Sequence, residues 1–484
     1  AYGQTSVLQS VTVTGLSLTR QFQYDAGGSG ELTKITLPYG GYLRYAYRTF
    51  TYLGNRTLRE VEYRYLAPSA GASELTYTLG RDPADSGRTI HRYTTVNDPG
   101  GAAYRAWYFY TDPALWCMGL LEQLHDRVLP SGATKRYHTY FWTQDGAGTP
   151  YPTAVVTILD PGAAYEKQTR TEQTLDTHGN VTQSKIYDYG SPVPTRTYTN
   201  TYLTGSNYTS RHIWNRLVST SVSGSGQNVS LVANTYDFGY CTDRTGLRNH
   251  DSANYGVNFF YRANVTSRLV PGATTNFRYD ITGSLVTADD NYGHSVSVTP
   301  AAGTNYAAPG AITTSTLTTS MSWTSFLGLA AETGPNSDTA SFSYDTFARP
   351  LTTTSPHGAV TNYTYNNATR TRTATVNNRW TKTTMDGLGR TVKVETGTGT
   401  TRNSVVDREY ASCACSPLGR LKRASQPYAP GGTIYWTTYT YDALGRVTSV
   451  DHPGGTGSTI YVYEGNTVKV TDPAAKWKKF VMDA

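Results

Sequence analysis

The chain has 484 residues, 40 of them Tyr and 46 Gly; it is 38% hydrophobic, only 16% charged, and carries a formal net charge of +7. Low charge with many aromatic and β-branched residues excludes a disordered chain, and a scarcity of Leu, Ile and Met excludes a thick two-layer core. Four cysteines are too few for a disulfide-built scaffold, and no segment approaches the roughly eighteen apolar residues of a membrane helix. No signal-peptide pattern opens the chain, so Ala1 reads as the start of a mature or trimmed segment, or of a protein not exported by that route.

In chain order, residues 1–105 read as strands with polar turns. Phe22-Gln23-Tyr24, Tyr45-Ala46-Tyr47 and Tyr63-Arg64-Tyr65 each place two aromatics on one strand face, since side chains alternate with a period of two. The apolar density of Leu115–His125 fits a short buried helix or a strand pair, with Gly119 arguing for strands. Val155–Leu159 reads as a buried strand, residues 198–232 as strands with Ser223–Gly226 as a hairpin tip, and residues 237–256 as a longer loop. A further loop, Pro300–Gly310, precedes a Thr-rich strand over 312–319, and none of these intervals is a domain linker.

The most regular stretch is Tyr441-Asp442-Ala443-Leu444-Gly445-Arg446-Val447-Thr448, two strand edges joined by a tight turn. Asp442 is placed to accept hydrogen bonds from the turn's own N–H groups, and Gly445 to supply a positive φ. Copies follow one another at a period near twenty residues, the mark of a repeat array. Tyr344-Asp345 keeps Arg349 but has Ala348 for the turn Gly, Tyr279-Asp280 keeps Gly283 without the Arg, and Asp386, Gly389 and Arg390 follow Met385. Asp176 and Gly179 form a copy with Asn180 for Arg, Tyr24-Asp25 a distant one, and Tyr365-Asn366 and Tyr463-Glu464 worn ones. An aromatic-x-Tyr beat before each turn implies tyrosine columns stacked across neighbouring strands.

The pattern Tyr-Asp-x-x-Gly-Arg-[Leu/Val]-Thr followed by Pro-Gly resembles the YD repeat of the rearrangement hot spot (RHS) family, which includes bacterial polymorphic toxins, toxin-complex components and teneurins. The resemblance is regular over residues 231–484 and degenerate but continuous over 1–230, with no separate catalytic domain. It implies an all-β fold, a continuous array of antiparallel β-hairpins wound into a spiral shell or tube wall. It also implies a bacterial secreted or cell-surface scaffold; in toxin members the shell encloses a C-terminal effector.

Motifs for chemistry are missing: there is no phosphate loop, no His-Glu-x-x-His and no Gly-x-Ser-x-Gly elbow. No catalytic, cofactor or metal residue is assigned. Asp289-Asp290-Asn291 reads as a turn, and Cys413-Ala414-Cys415 as two loop thiols, free or paired with each other, in preference to half of a zinc site. Asp160-Pro161 and Asp472-Pro473 share only two residues with the family's self-cleavage segment and read as inter-repeat turns. The basic residues are scattered, clustering only at Lys422-Arg423 and Lys476–Lys479, which argues against nucleic acid. The partners left open are an enclosed effector, a surface glycan, and a second copy joined strand to strand into a filament. The last follows from Val481–Ala484, which repeats the start of a hairpin and stops before its turn: either the chain is a piece of a longer one or another copy pairs its open edge.

Overall fold

The computed structural model describes residues 6–413 and 415–484; Ala1 and Ala414 lie outside them. Within these residues 36 strands form one antiparallel sheet in which each strand pairs with those before and after it in sequence. The first, Ser10–Val13, pairs with Leu18–Tyr24, and the last, Trp477–Val481, with Thr467–Thr471, so the ribbon does not close on itself. Helix is confined to single turns such as Ser206–Thr209 and Ser252–Tyr255.

The sheet is one layer thick. The accessible surface is 27000 Å² for 52.9 kDa, against about 18,000 Å² for a compact globule of that mass. The few fully buried apolar side chains are small or isolated, among them Leu66, Ala106, Tyr77, Ile281 and Val405. Tyr and Thr suit such a wall, because each covers its neighbours with apolar atoms and still meets water with a hydroxyl.

A β-bulge recurs beside the turns. Thr440 pairs with Ser449 but Tyr441 with Val447, and the same slip occurs at Ser343/Tyr344, Thr384/Met385, Arg278/Tyr279, Gln23/Tyr24 and Thr174/Leu175. Each bulge adds local right-handed twist and bends its strand. Repeated hairpin after hairpin, the bend coils the ribbon.

The coiling brings distant hairpin tips together. Asn367 donates to the Leu16 carbonyl at 2.8 Å, Arg370 to Tyr39 at 3.1 Å and Arg64 to Pro417 at 3.3 Å. Gly465 N–H donates to Asp160 Oδ2 at 3.0 Å, and Ala484 N–H to Asp188 Oδ1 at 2.9 Å. These partners lie 296 to 353 residues apart, and the pairs advance together along both stretches. The later part of the ribbon therefore lies edge to edge on the earlier part, as successive turns of a spiral.

Four local expectations are corrected. Leu115–His125 is not helical: a turn over 112–119 ends at Gly119 (φ 90°), and the strand Leu121–Val128 follows. Val155–Leu159 lies in the strand Pro150–Leu159, which is mostly half-buried because nothing covers the second face of a single layer. The Thr-rich segment 312–319 is two strands, Pro309–Thr314 and Leu317–Trp323, since Ser315 turns the chain with a φ of 56°. Tyrosine stacking across strands runs through Tyr93, Tyr108, His125 and Tyr137 in the irregular region. In the repeats Tyr365, Tyr410 and Tyr463 meet arginines instead, and Tyr344 meets Phe326 edge-on.

Candidate functional site

The recurring unit is the hairpin tip. In the copy at Tyr441, Asp442 Oδ1 accepts the N–H groups of Leu444 and Arg446, both at 2.9 Å. Arg446 Nε donates to Asp442 Oδ2 at 2.7 Å, and Gly445 takes a φ of 77°. Asp345 holds Phe347 and Arg349 in the same way, with Arg349 Nε at 2.7 Å; Asp386 holds Leu388 and Arg390, with Arg390 Nε at 2.8 Å. Gly389, Gly283 and Gly179 occupy the same left-handed position as Gly445.

Each arginine then serves the next hairpin. The Arg349 guanidinium lies 4.3 Å from the Tyr365 ring centre, Arg390 4.4 Å from Tyr410, and Arg446 4.0 Å from Tyr463. Those tyrosines reach back with their hydroxyls to the carbonyl that follows the arginine: Tyr365 to Pro350, Tyr410 to Thr391, and Tyr463 to Val447. Tyr344, Tyr279 and Tyr24 reach Leu329, Val265 and Leu8. The tyrosine is thus both a cation-binding face and a hydrogen-bond donor, which Phe could not be. Burial pushes the Tyr365, Tyr441 and Tyr463 hydroxyls upward, so they remain protonated donors.

The degenerate copies solve the same problem differently. Asn180 replaces Arg and donates to Asp176 Oδ2 at 2.8 Å and to the Trp214 carbonyl at 3.0 Å. In the copy at Asp280 the arginine comes from the inserted loop: Arg244 Nε donates to Asp280 Oδ2 at 2.9 Å and lies 5.4 Å from the Tyr306 ring. Asp25 closes a longer turn through Ser29 and Glu31. Arg244 carried no sequence signal of its own; the only hint was a copy that keeps its Asp without its Arg.

Ala348 sits where the repeat places Gly and is held at a φ of 61°. A left-handed alanine costs about 1–2 kcal/mol. Ala348→Gly is expected to stabilise the protein by about 1 kcal/mol in urea titrations.

These tips meet the opposite edge of the next turn, and the closest approach is backbone to backbone. Gly41 N–H donates to the Gly387 carbonyl at 3.1 Å, and Gly387 N–H to the Pro68 carbonyl at 3.0 Å. A Cβ on Gly387 would fall on the Pro68 oxygen and the Gly41 nitrogen. Nearby, Cys413 and Cys415 are bonded to each other, which leaves neither sulfur as a thiolate ligand. Asp289 accepts from Asn276, and Asp290 anchors a turn through Tyr292 and His294. Among the described residues no cluster of His, Cys, Asp and Glu could hold a metal, and no helix is long and apolar enough to cross a membrane.

The charge pattern fixes a pH response. Hydrogen bonds from Ser29 lower Asp25 to about 2; at Asp345 burial works upward, but the Arg349 hydrogen bonds outweigh it and the net shift is downward. Such carboxylates stabilise the fold above their ordinary value of 3.8 and lose that contribution as pH falls through the folded values. Burial lowers His125 and His138 to about 4 from 6.5, so the unfolded chain takes up these protons first. Melting temperature is therefore expected to be flat from pH 7 to about 9, to fall between about 6.5 and 4, and to fall again below about 4. A flat profile between pH 6.5 and 4 would contradict the two buried neutral imidazoles.

A single-layer ribbon of bulged hairpins, coiled and fastened edge to edge, defines a structural scaffold of the repeat class. Residues 416–456 match the family model described as RHS Repeat. Those residues thus carry an RHS repeat, within a hairpin array of the same kind. No curated protein sequence matches it. Among solved structures it is similar to TcdB2-TccC3-TEV, at 8% identity and a TM-score of 0.50, covering 96% of this chain and 38% of that one. A Photorhabdus luminescens Tc holotoxin pore aligns at 9% identity and a TM-score of 0.34, over 94% of this chain and 29% of that one. The fold likeness rests on the first of these, and the chain spans well under half of the length of either structure.

Proposed function

We propose that this chain is a non-catalytic length of shell wall, from a bacterial secreted or cell-surface protein, whose product is an enclosed volume that shelters a polypeptide. The observation that carries this reading is the fastening of successive ribbon turns. A flat scaffold or a tether would have no use for backbone-to-backbone contacts between tips some 300 residues apart, whereas a wall needs them to be tight. The chemistry of the acids agrees. Asp126 is held between Arg105 Nε at 2.8 Å and Arg136 at 2.7 Å, Asp280 is held by Arg244, and the turn aspartates are occupied by their own N–H groups. These acids are committed to holding hairpins together.

Limited proteolysis of the complete gene product tests the proposal. A polypeptide inside the wall should resist trypsin in the intact protein and become cleavable once the wall is opened. Equal cleavage rates in both states, or turnover of a substrate by this segment alone, would overturn it.

A further inference from the structure

Between the strands Gln227–Tyr236 and Val265–Val270 the hairpin rhythm is interrupted by an inserted loop. Asp237 fastens its two ends: Oδ2 accepts from Ala263 N–H at 2.7 Å and from the Tyr208 hydroxyl at 2.9 Å, and Oδ1 accepts from Asn264 N–H at 2.9 Å. The loop leans over the neighbouring strand Ala273–Tyr279 and leaves a cavity of about 390 Å³ between them. That volume lies near the lower end of small-ligand pockets and excludes a helix or a folded partner.

Two large aromatics border this cavity with little packing of their own. Phe238 is 85% exposed and Tyr240 is 71% exposed, although Tyr240 leans on Phe260 with ring centres 5.1 Å apart. Aromatic side chains left so open at the edge of a concavity mark a contact surface rather than a fold requirement. Polar groups with spare capacity face the same space. Among the described residues Arg278, which is exposed, has no carboxylate within ion-pair distance. Asn276 and Asp289 bond to each other through Nδ2 and Oδ2 at 3.0 Å, which leaves an acceptor oxygen on each.

We infer that this cradle binds one pyranose of a glycan. A pyranose has an apolar face of C–H groups, which suits Phe238 and Tyr240, and a rim of hydroxyls that both donate and accept. Asp289 and Asn276 supply the acceptors for that rim, and Arg278 supplies the donors. A phosphate would meet the carboxylate of Asp289 with a single cation in reach, and a purely apolar ligand would strand those polar groups. The site is made by the inserted loop over one repeat hairpin and needs no enclosed volume, so it stands or falls apart from the shell reading.

The test is a printed glycan array with the intact chain, followed by saturation-transfer NMR with the monosaccharide that terminates the best-bound glycans. Phe238→Ala and Tyr240→Ala are each expected to weaken binding at least tenfold with an unchanged melting temperature, since both rings are exposed. Arg278→Gln, on a solvent-facing side chain, should weaken it by a similar factor. A blank array, binding that survives all three substitutions, or capture of aromatic peptides in place of sugars would overturn the inference.

Discussion

Replacing Gly387 by alanine is expected to destabilise the protein by about 3 kcal/mol, a large effect for one methyl group. Two costs combine at this position. The added Cβ has no room between the Pro68 carbonyl and the Gly41 backbone, so the two ribbon edges must separate. Separation then breaks the bonds from Gly41 N–H to the Gly387 carbonyl and from Gly387 N–H to Pro68, at about 0.5–1.5 kcal/mol each. Gly387 is not left-handed, so a loss would report the seam and not turn strain. Gly303→Ala is the control: that glycine has nothing within 4 Å of its would-be Cβ and no positive φ, and stability should stay within about 0.5 kcal/mol. Urea unfolding of both variants gives the comparison, and equal midpoints would mean that the turns do not touch.

Asp280→Ala is expected to cost about 3–5 kcal/mol, the range for removing one partner of a buried ion pair. The Asp280 side chain is 0% exposed, against 17% for Arg244. It accepts the Thr282 and Ser284 N–H groups at 3.0 and 3.1 Å and the Thr282 hydroxyl at 2.5 Å. Its loss would leave a guanidinium without its counter-charge and a turn without its anchor. Asp472 performs the same turn role in the open, accepting Lys476 N–H at 2.8 Å, and Asp472→Ala should cost only about 1 kcal/mol. A double-mutant cycle with Arg244→Met separates the pair from the turn: a coupling below about 0.5 kcal/mol would show that Arg244 does not stand in for the missing repeat arginine.

The contrast between these two aspartates shows what a sequence can and cannot disclose here. The hairpin ribbon was legible because alternation, turn glycines and a short period are local signals, each contained within one repeat. The tyrosines were legible as residues but not in their role: the alternating pattern puts them on a common face, while the reach of Tyr463 back to Val447 depends on the bulge at Thr440/Tyr441. A bulge displaces one residue and leaves no mark in a polar, Thr-rich strand. Arg244 was invisible because its partner lies 36 positions away in a loop without period. The seam was hidden more deeply still. Gly41 and Gly387 come together only through curvature accumulated over the intervening strands, and no single residue encodes that sum.

The distance between residues 38 and 368 is the quantity to measure. Both positions are solvent-exposed and flank the bond from Arg370 to the Tyr39 carbonyl. Spin labels on Pro38→Cys and Ala368→Cys, in a Cys241→Ser background, read it by double electron–electron resonance. In a coiled ribbon the labels lie well under 40 Å apart, whereas an uncoiled sheet spanning the intervening strands would hold them about 110 Å apart at about 4.8 Å per strand. A short, narrow distribution is the expected result; a distance beyond reach of the experiment would mean that the ribbon does not wind.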